Sequence, residues 1–273
     1  MMADNTLGGT MRLEGKFAVI AGAADSFARA IAVGYAKEGA VCYLQDFEDR
    51  AEGLKKTEDA VAAVGNKFFS GIYDTTTAAG TEALTKDVLD KGGQVDILLN
   101  ASAGGWHGNF FECREKDWDR AINRGLKSYF MTCQHLGKEM ARRGSGKIIN
   151  ITSIVGRIGS GGAVPWGAAR GGVDALTSAV AQCLGEYGIN VVALARGATE
   201  STPYTPEAKE ERLRRLPFGR LGNEDDIVGP AIFLATDEAR WIHGSVVYCD
   251  GGYVTAAATD APHRAKEVPY RGK

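Results

Sequence analysis

Short apolar, β-branched runs alternate with amphipathic helical stretches along almost the whole chain, and this alternation limits the fold more than any other feature. Phe17 to Ala21, Val41 to Gln45, Lys67 to Tyr73, Asp96 to Asn100, Lys147 to Ile151, Asn190 to Leu194 and Ser245 to Cys249 read as buried strands. Helical patterns separate them: one running on to Glu38, then Arg50 to Val64, Thr81 to Lys91, Trp118 to Arg143, a helix from Pro165, Tyr204 to Leu216, and Asp225 to Ala235. Strands joined through helices by short turns predict the α/β class, with one doubly wound parallel sheet and helices on both faces. At 273 residues the chain is long enough for one such domain, placed at residues 12–255, with a polar extension at 256–273 that contains Pro262 and Pro269 and reads as an extended arm. The long helix has Gly125 and Gly137 as its candidate kink points.

The turn after the first strand, Gly22-Ala-Ala-Asp25-Ser26-Phe27-Ala28, leads into a helix amino terminus. Free backbone N–H groups and the helix dipole there suit an anion. The second strand ends at Asp46, near the spacing at which an acid accepts hydrogen bonds from an adenosine ribose; the alternative is a solvated strand-end carboxylate. An acid in that place selects NAD over NADP, and Asp25 in the turn points the same way.

The stretch from Lys147 to Val173 carries the chemistry. Thr152 and Ser153 bring hydroxyls to a strand end, glycines break the chain, and Trp166 and Arg170 then stand four apart on one helical face. Pro165 suits the first helical turn.

These residues resemble the short-chain dehydrogenase/reductase family, with its Rossmann-type fold, over roughly residues 12 to 255. In that family a serine is followed after thirteen residues by a tyrosine and after four more by a lysine. Here the spacing holds from Ser153, but the positions carry Trp166 and Arg170, and the family's catalytic asparagine aligns with Gly125. The Thr-Gly-x-x-x-Gly-Ile-Gly fingerprint has become Ala21-Gly22-Ala-Ala-Asp25-Ser26-Phe27-Ala28. The resemblance implies nucleotide-binding roles for Gly22, Asp25, Ser26, Phe27, Asp46, Asp74, Thr75, Asn100, Arg170 and Thr202. It also implies a substrate lid from Tyr204 to Leu216, and a homotetramer or homodimer formed through the long helix and the helix of Trp166. Arg196 replaces a proline beside the nicotinamide and offers a second guanidinium.

The relay that the family uses is absent. Indole offers only a donor and a guanidinium stays protonated, so neither passes a proton. A positioned acid or base is worth about 10²–10⁴ in rate, or about 3–5 kcal/mol of barrier. His107, in the loop Gly104-Gly-Trp106-His107-Gly108, is the candidate replacement, with an exposed loop histidine as the alternative. The candidate catalytic set is therefore Ser153, Trp166, Arg170 and His107.

Three functions fit these residues: an atypical NAD(H) oxidoreductase acting on a small hydrophobic or acidic carbonyl or hydroxyl compound; a non-redox lyase, isomerase or cyclase without a nicotinamide; and an inactive homologue, a sensor or a partner of an active one. A net charge of −2 gives no electrostatic case for nucleic acid or an anionic membrane. The five cysteines are scattered without a CxxC, so free thiols, no metal site and a cytoplasmic location are expected.

Overall fold

The computed structural model describes residues 11–257. Seven strands, β1 (Phe17–Ala21), β2 (Val41–Asp46), β3 (Phe68–Ile72), β4 (Ile97–Asn100), β5 (Gly146–Ser153), β6 (Ile189–Arg196) and β7 (Val246–Cys249), form one sheet in the order β3-β2-β1-β4-β5-β6-β7. Every neighbouring pair is parallel, as helical crossovers require. The order reverses between β1 and β4, and a doubly wound sheet opens its ligand crevice at that point, outside the carboxyl ends of the strands.

Alternation along the strands makes two cores. Ala18 and Ile20 of β1 face one side, where α1 (Ser26–Lys37), α2 (Ala51–Ala62) and α9 (Asp225–Ala235) add Ile31, Leu54 and Ile227. Phe17, Val19 and Ala21 face the other, against Leu84 and Val88 of α3 (Ala78–Gly92), Leu136 and Met140 of α5 (Ser128–Arg143) and Ala181 of α7 (Val164–Leu184). Each large side chain buried this way contributes about 1.5–3 kcal/mol.

Several boundaries move for local reasons. α3 begins at Ala78 because the Thr77 hydroxyl accepts from Gly80 N (3.1 Å), and it ends against Gly93 at φ +67°. The expected helix from Arg50 becomes a 3₁₀ turn (Glu48–Arg50) followed by α2. The long helix is broken once: α4 (Glu115–Ile122) passes through a π-helical turn, Asn123–Lys127, into α5, so the irregularity lies at Gly125 while Gly137 continues a regular helix. The Gly125 position is also close-packed, since a Cβ there would lie 3.1 Å from Ala169 Cβ.

β5 and β6 run two residues further than expected, pairing Ser153 with Arg196 at their last rung. A short helix, α6 (Val155–Ile158), follows β5. Tyr204 is not helical: Thr205 caps α8 (Pro206–Arg215), which leaves Tyr204 in the preceding loop. The chain closes with α10 (Tyr253–Ala257), so Ala256 and Ala257 are helical rather than part of an extended arm, and the rest of that expected arm lies outside the described residues. No helix among the described residues is long and apolar enough to cross a membrane.

Candidate functional site

A cavity of about 1010 Å³ opens beside the carboxyl ends of β5 and β6, and Ser153, Trp166, His107, Arg196 and Tyr204 all reach its wall. The strand ends place Ser153 and Arg196, the first turn of α7 places Trp166, and two glycine-rich loops carry the rest. Ser153 Oγ accepts weakly from Val155 N at 3.5 Å, which leaves the hydroxyl with donor and acceptor capacity toward the cavity. His107 is exposed on its loop, which is tied across the rim by Gly108 N donating to Gly162 O at 3.0 Å.

Arg170 is not on this wall. It turns into the core with 2% of its surface exposed. Its Nη1 donates to Tyr129 Oη (2.7 Å) and Ile151 O (2.9 Å), and its Nη2 donates to Ser102 O (2.9 Å). The guanidinium stacks 3.9 Å from the centre of the Trp166 ring, as their spacing of four in the helix allows. Of its three nitrogens, Nε alone lacks an acceptor among the described residues. The ribose-holding role expected for Arg170 therefore meets a side chain whose donors are engaged. Tyr129, 41 residues away and fully buried, fixes this orientation, and burial pushes its phenol up from the ordinary range.

Arg196 behaves differently. Its guanidinium lies 4.7 Å from the centre of the Phe27 ring and, among the described residues, makes no hydrogen bond or ion pair. Loss of water pulls its pKa down, while the nearby Asp25 carboxylate opposes that shift. It stands between the large cavity and a second one of about 370 Å³ lined by Phe27, Phe218 and Asp250. Arg212, stacked on Tyr204 at 4.4 Å, adds a second cation to the large cavity, whereas Arg215 is paired with Glu211 at 2.7 Å.

At the β1–β2 end the predicted nucleotide residues are engaged with the chain itself. Gly22 has φ +89°, and a Cβ there would lie 2.3 Å from Ser102 N, so the turn after β1 and the end of β4 touch backbone to backbone. Asp46, 3% exposed, accepts from Ala24 N (2.7 Å) and Phe47 N (2.8 Å); burial draws its pKa upward and those two donors oppose the shift. Asp25 caps α1 through Phe27 N (3.0 Å), and Ser26 Oγ donates to Glu224 (2.9 Å). Asp74 closes its own turn by accepting from Thr76 N and Oγ1 at 3.0 and 2.6 Å. Thr75 Oγ1 is buried without a partner among the described residues. Asn100 donates to Asn150 Oδ1 (2.9 Å) and accepts from Thr132 (2.7 Å), so its amide belongs to an interior polar chain. Thr202 instead lines the large cavity.

Sequence reading missed Tyr129 and the group of Phe47, Asp49 and Arg124. Arg124 donates two hydrogen bonds to Asp49 (3.0 and 2.7 Å) and lies 4.4 Å from the centre of the Phe47 ring. One signal was present: a charged residue stands immediately before Gly125, the position of the lost asparagine.

A family model described as enoyl-(acyl carrier protein) reductase matches residues 22–254. The subunit BbsD of (2S)-[(R)-hydroxy(phenyl)methyl]succinyl-CoA dehydrogenase from Thauera aromatica is 32% identical over 246 residues, covering 89% of this chain and 98% of that protein. The 3-oxoacyl-[acyl-carrier-protein] reductase FabG of Thermotoga maritima is 33% identical, with 89% and 100% covered. Among solved structures, a gluconate 5-dehydrogenase from Burkholderia cenocepacia in complex with NADP and tartrate superposes with a TM-score of 0.84 at 26% identity, over 90% of this chain and 98% of that one. With the seven-stranded sheet, the helices on both its faces and the spacing from Ser153, these likenesses establish that the chain belongs to the short-chain dehydrogenase/reductase family of oxidoreductases.

Proposed function

We propose that this chain is an accessory, ligand-binding member of its oxidoreductase family. In this reading it takes an acidic compound with an apolar or aromatic body into the cavity beside Ser153 and does not reduce carbonyls through the usual proton relay. The observation that carries the reading is the pair at the relay position: the Trp166 indole N–H neither gains nor releases a proton near neutral pH, and both terminal nitrogens of Arg170 are held by Tyr129, Ile151 and Ser102. Arg196, mostly buried and without an ion-pair partner among the described residues, supplies the anion contact, and Trp166, Ile154 and Tyr204 supply the apolar walls. The compound named for the BbsD relative, a phenyl-substituted succinyl thioester, belongs to this class. Such a protein would work in the cytoplasm, in a homodimer or homotetramer, or with an active homologue in place of its own copy; the half-exposed Trp118 and Phe130 on α4 and α5 support an assembled state.

A second reading, an atypical NAD(H) oxidoreductase with His107 as its proton carrier, is favoured by His107 and Ser153 sharing one cavity wall.

Calorimetric titration with phenylsuccinate, succinate and benzyl alcohol tests the first reading. Phenylsuccinate should bind most tightly, and Arg196→Ala should weaken it by about tenfold or more. Equal binding of the neutral alcohol would overturn the acidic class. Consumption of NADH or NADPH with a carbonyl substrate, lost in His107→Ala, would replace the first reading by the second.

A further inference from the structure

We infer that the chain closes its own dinucleotide crevice, with Arg124 laid across the place an adenosine would occupy. In a doubly wound sheet the nucleotide lies outside the carboxyl ends of the strands at the switch point, with the acid after the second strand at its ribose. The switch point here lies between β1 and β4. Asp49 follows β2 and Arg124 follows β4, so the bridge between them passes over the end of β1, which lies between those two strands.

The bridge is well built. Both terminal nitrogens of Arg124 meet both oxygens of Asp49, a fork geometry that holds the guanidinium plane in one orientation. That plane covers the Phe47 ring next to Asp46, where a purine would otherwise stack. Arg120 Nη2 approaches the same carboxylate at 3.9 Å, and together the two arginines hold the Asp49 carboxyl below its ordinary range. Backbone space has been made for the strap as well: a Cβ on Gly104 would come within 3.1 Å of Arg124 Cβ.

Other side chains along the crevice are engaged with the chain as well, up to the cavity at β5 and β6, which stays open. Arg196 covers Phe27 at the opposite end, and Ser26 is tied to Glu224 in the turn that would receive the pyrophosphate. Asp46 and Asp74 spend acceptor capacity on backbone and turn donors. A nucleotide would have to break the Arg124–Asp49 fork and lift the guanidinium off Phe47 before it could stack. The inference does not depend on the acidic-ligand reading, which concerns the cavity at β5 and β6.

The test is titration of the whole chain, and of its Arg124→Val and Asp49→Ala variants, with NADH and with NADPH, followed by nicotinamide fluorescence and calorimetry. The unaltered chain should show no saturation up to about 1 mM NADH. A folded Arg124→Val variant should bind NADH at least about tenfold more tightly, with NADPH weaker because Asp46 faces its 2′-phosphate. Asp49→Ala unties the guanidinium from a half-exposed carboxylate without disturbing the core, so it decides the matter if Arg124→Val does not fold. Tighter NADH binding in either folded variant supports the strap. The same NADH affinity in the unaltered chain and both variants, strong or undetectable, overturns it.

Discussion

The two halves of the sheet's carboxyl edge meet the same demand in opposite ways. At β1 and β2 most polar side chains are matched with one another, Asp46 with Ala24 and Phe47, Ser26 with Glu224, Arg124 with Asp49, while Gln45 Oε1 and Thr75 Oγ1 are buried there without a partner among the described residues. At β5 and β6 they are left open, with Ser153, His107 and Arg196 facing a large cavity. Burying an unmatched polar group costs about 1–3 kcal/mol, so a fold keeps such groups only where something else meets the need. The open half therefore offers a ligand more uncommitted polar groups than the matched half does.

Arg170 divides the two halves, and its loss should have the largest effect. Arg170→Met removes three donors from Tyr129, Ile151 and Ser102 and should cost about 3–4 kcal/mol in chemical denaturation. Arg170→Lys should cost about 1–2 kcal/mol, because one ammonium cannot span all three acceptors or stack on Trp166. An Arg170→Met variant as stable as the parent would move Arg170 from structure to function. Gly22→Ala should follow at about 2–3 kcal/mol, since its Cβ would strike Ser102 N. That loss in nucleotide-free protein would show that the glycine serves packing here.

Charge effects are smaller. Asp226 is held at about 2, chiefly by Arg220, whose Nη atoms lie 2.7 and 2.6 Å away. A carboxylate depressed in the folded state adds stability above its unfolded value near 3.8 and loses it as pH falls toward 2. With Arg220 half-exposed, screening reduces this to about 1 kcal/mol, so Asp226→Asn should be less stable at pH 6 and nearly equal to the parent at pH 2. Asp46 runs the other way: its raised pKa contributes stability below pH 3.8 that is lost as pH rises through the folded value. Smallest of all, His107→Ala should change stability by less than about 0.5 kcal/mol, because the side chain is exposed and makes no hydrogen bond among the described residues. A larger change would show that the open half is more tightly built than its cavity implies.

Alternation of strand and helix patterns was enough to order all seven strands along the chain, because burial on both faces imposes long apolar runs. Ser153 and Trp166, thirteen residues apart, also line one cavity. Where a long polar side chain points was harder to read. Arg170 and Arg196 look equivalent in sequence, yet one is captured by Tyr129 and the other is not, and that partner is 41 residues distant. Asn100 and Asp74 fit a nucleotide motif by position, but their acceptors and donors are claimed by Thr132, Asn150 and Thr76, choices made by tertiary packing and local turn geometry. The π-helical turn at Asn123–Lys127 leaves no periodic trace beyond a glycine, since one extra residue per turn only shifts the pattern.

The bond from Gly108 N to Gly162 O has a kinetic meaning as well. It joins two glycine-rich loops across the mouth of the cavity, at 3.0 Å and near the protein surface, where loops open on the nanosecond to microsecond scale. A ligand that passes between these two loops has to break that single bond. Proline at position 108 would remove the donor N–H, and it should raise association and dissociation rates together while leaving the equilibrium constant almost unchanged.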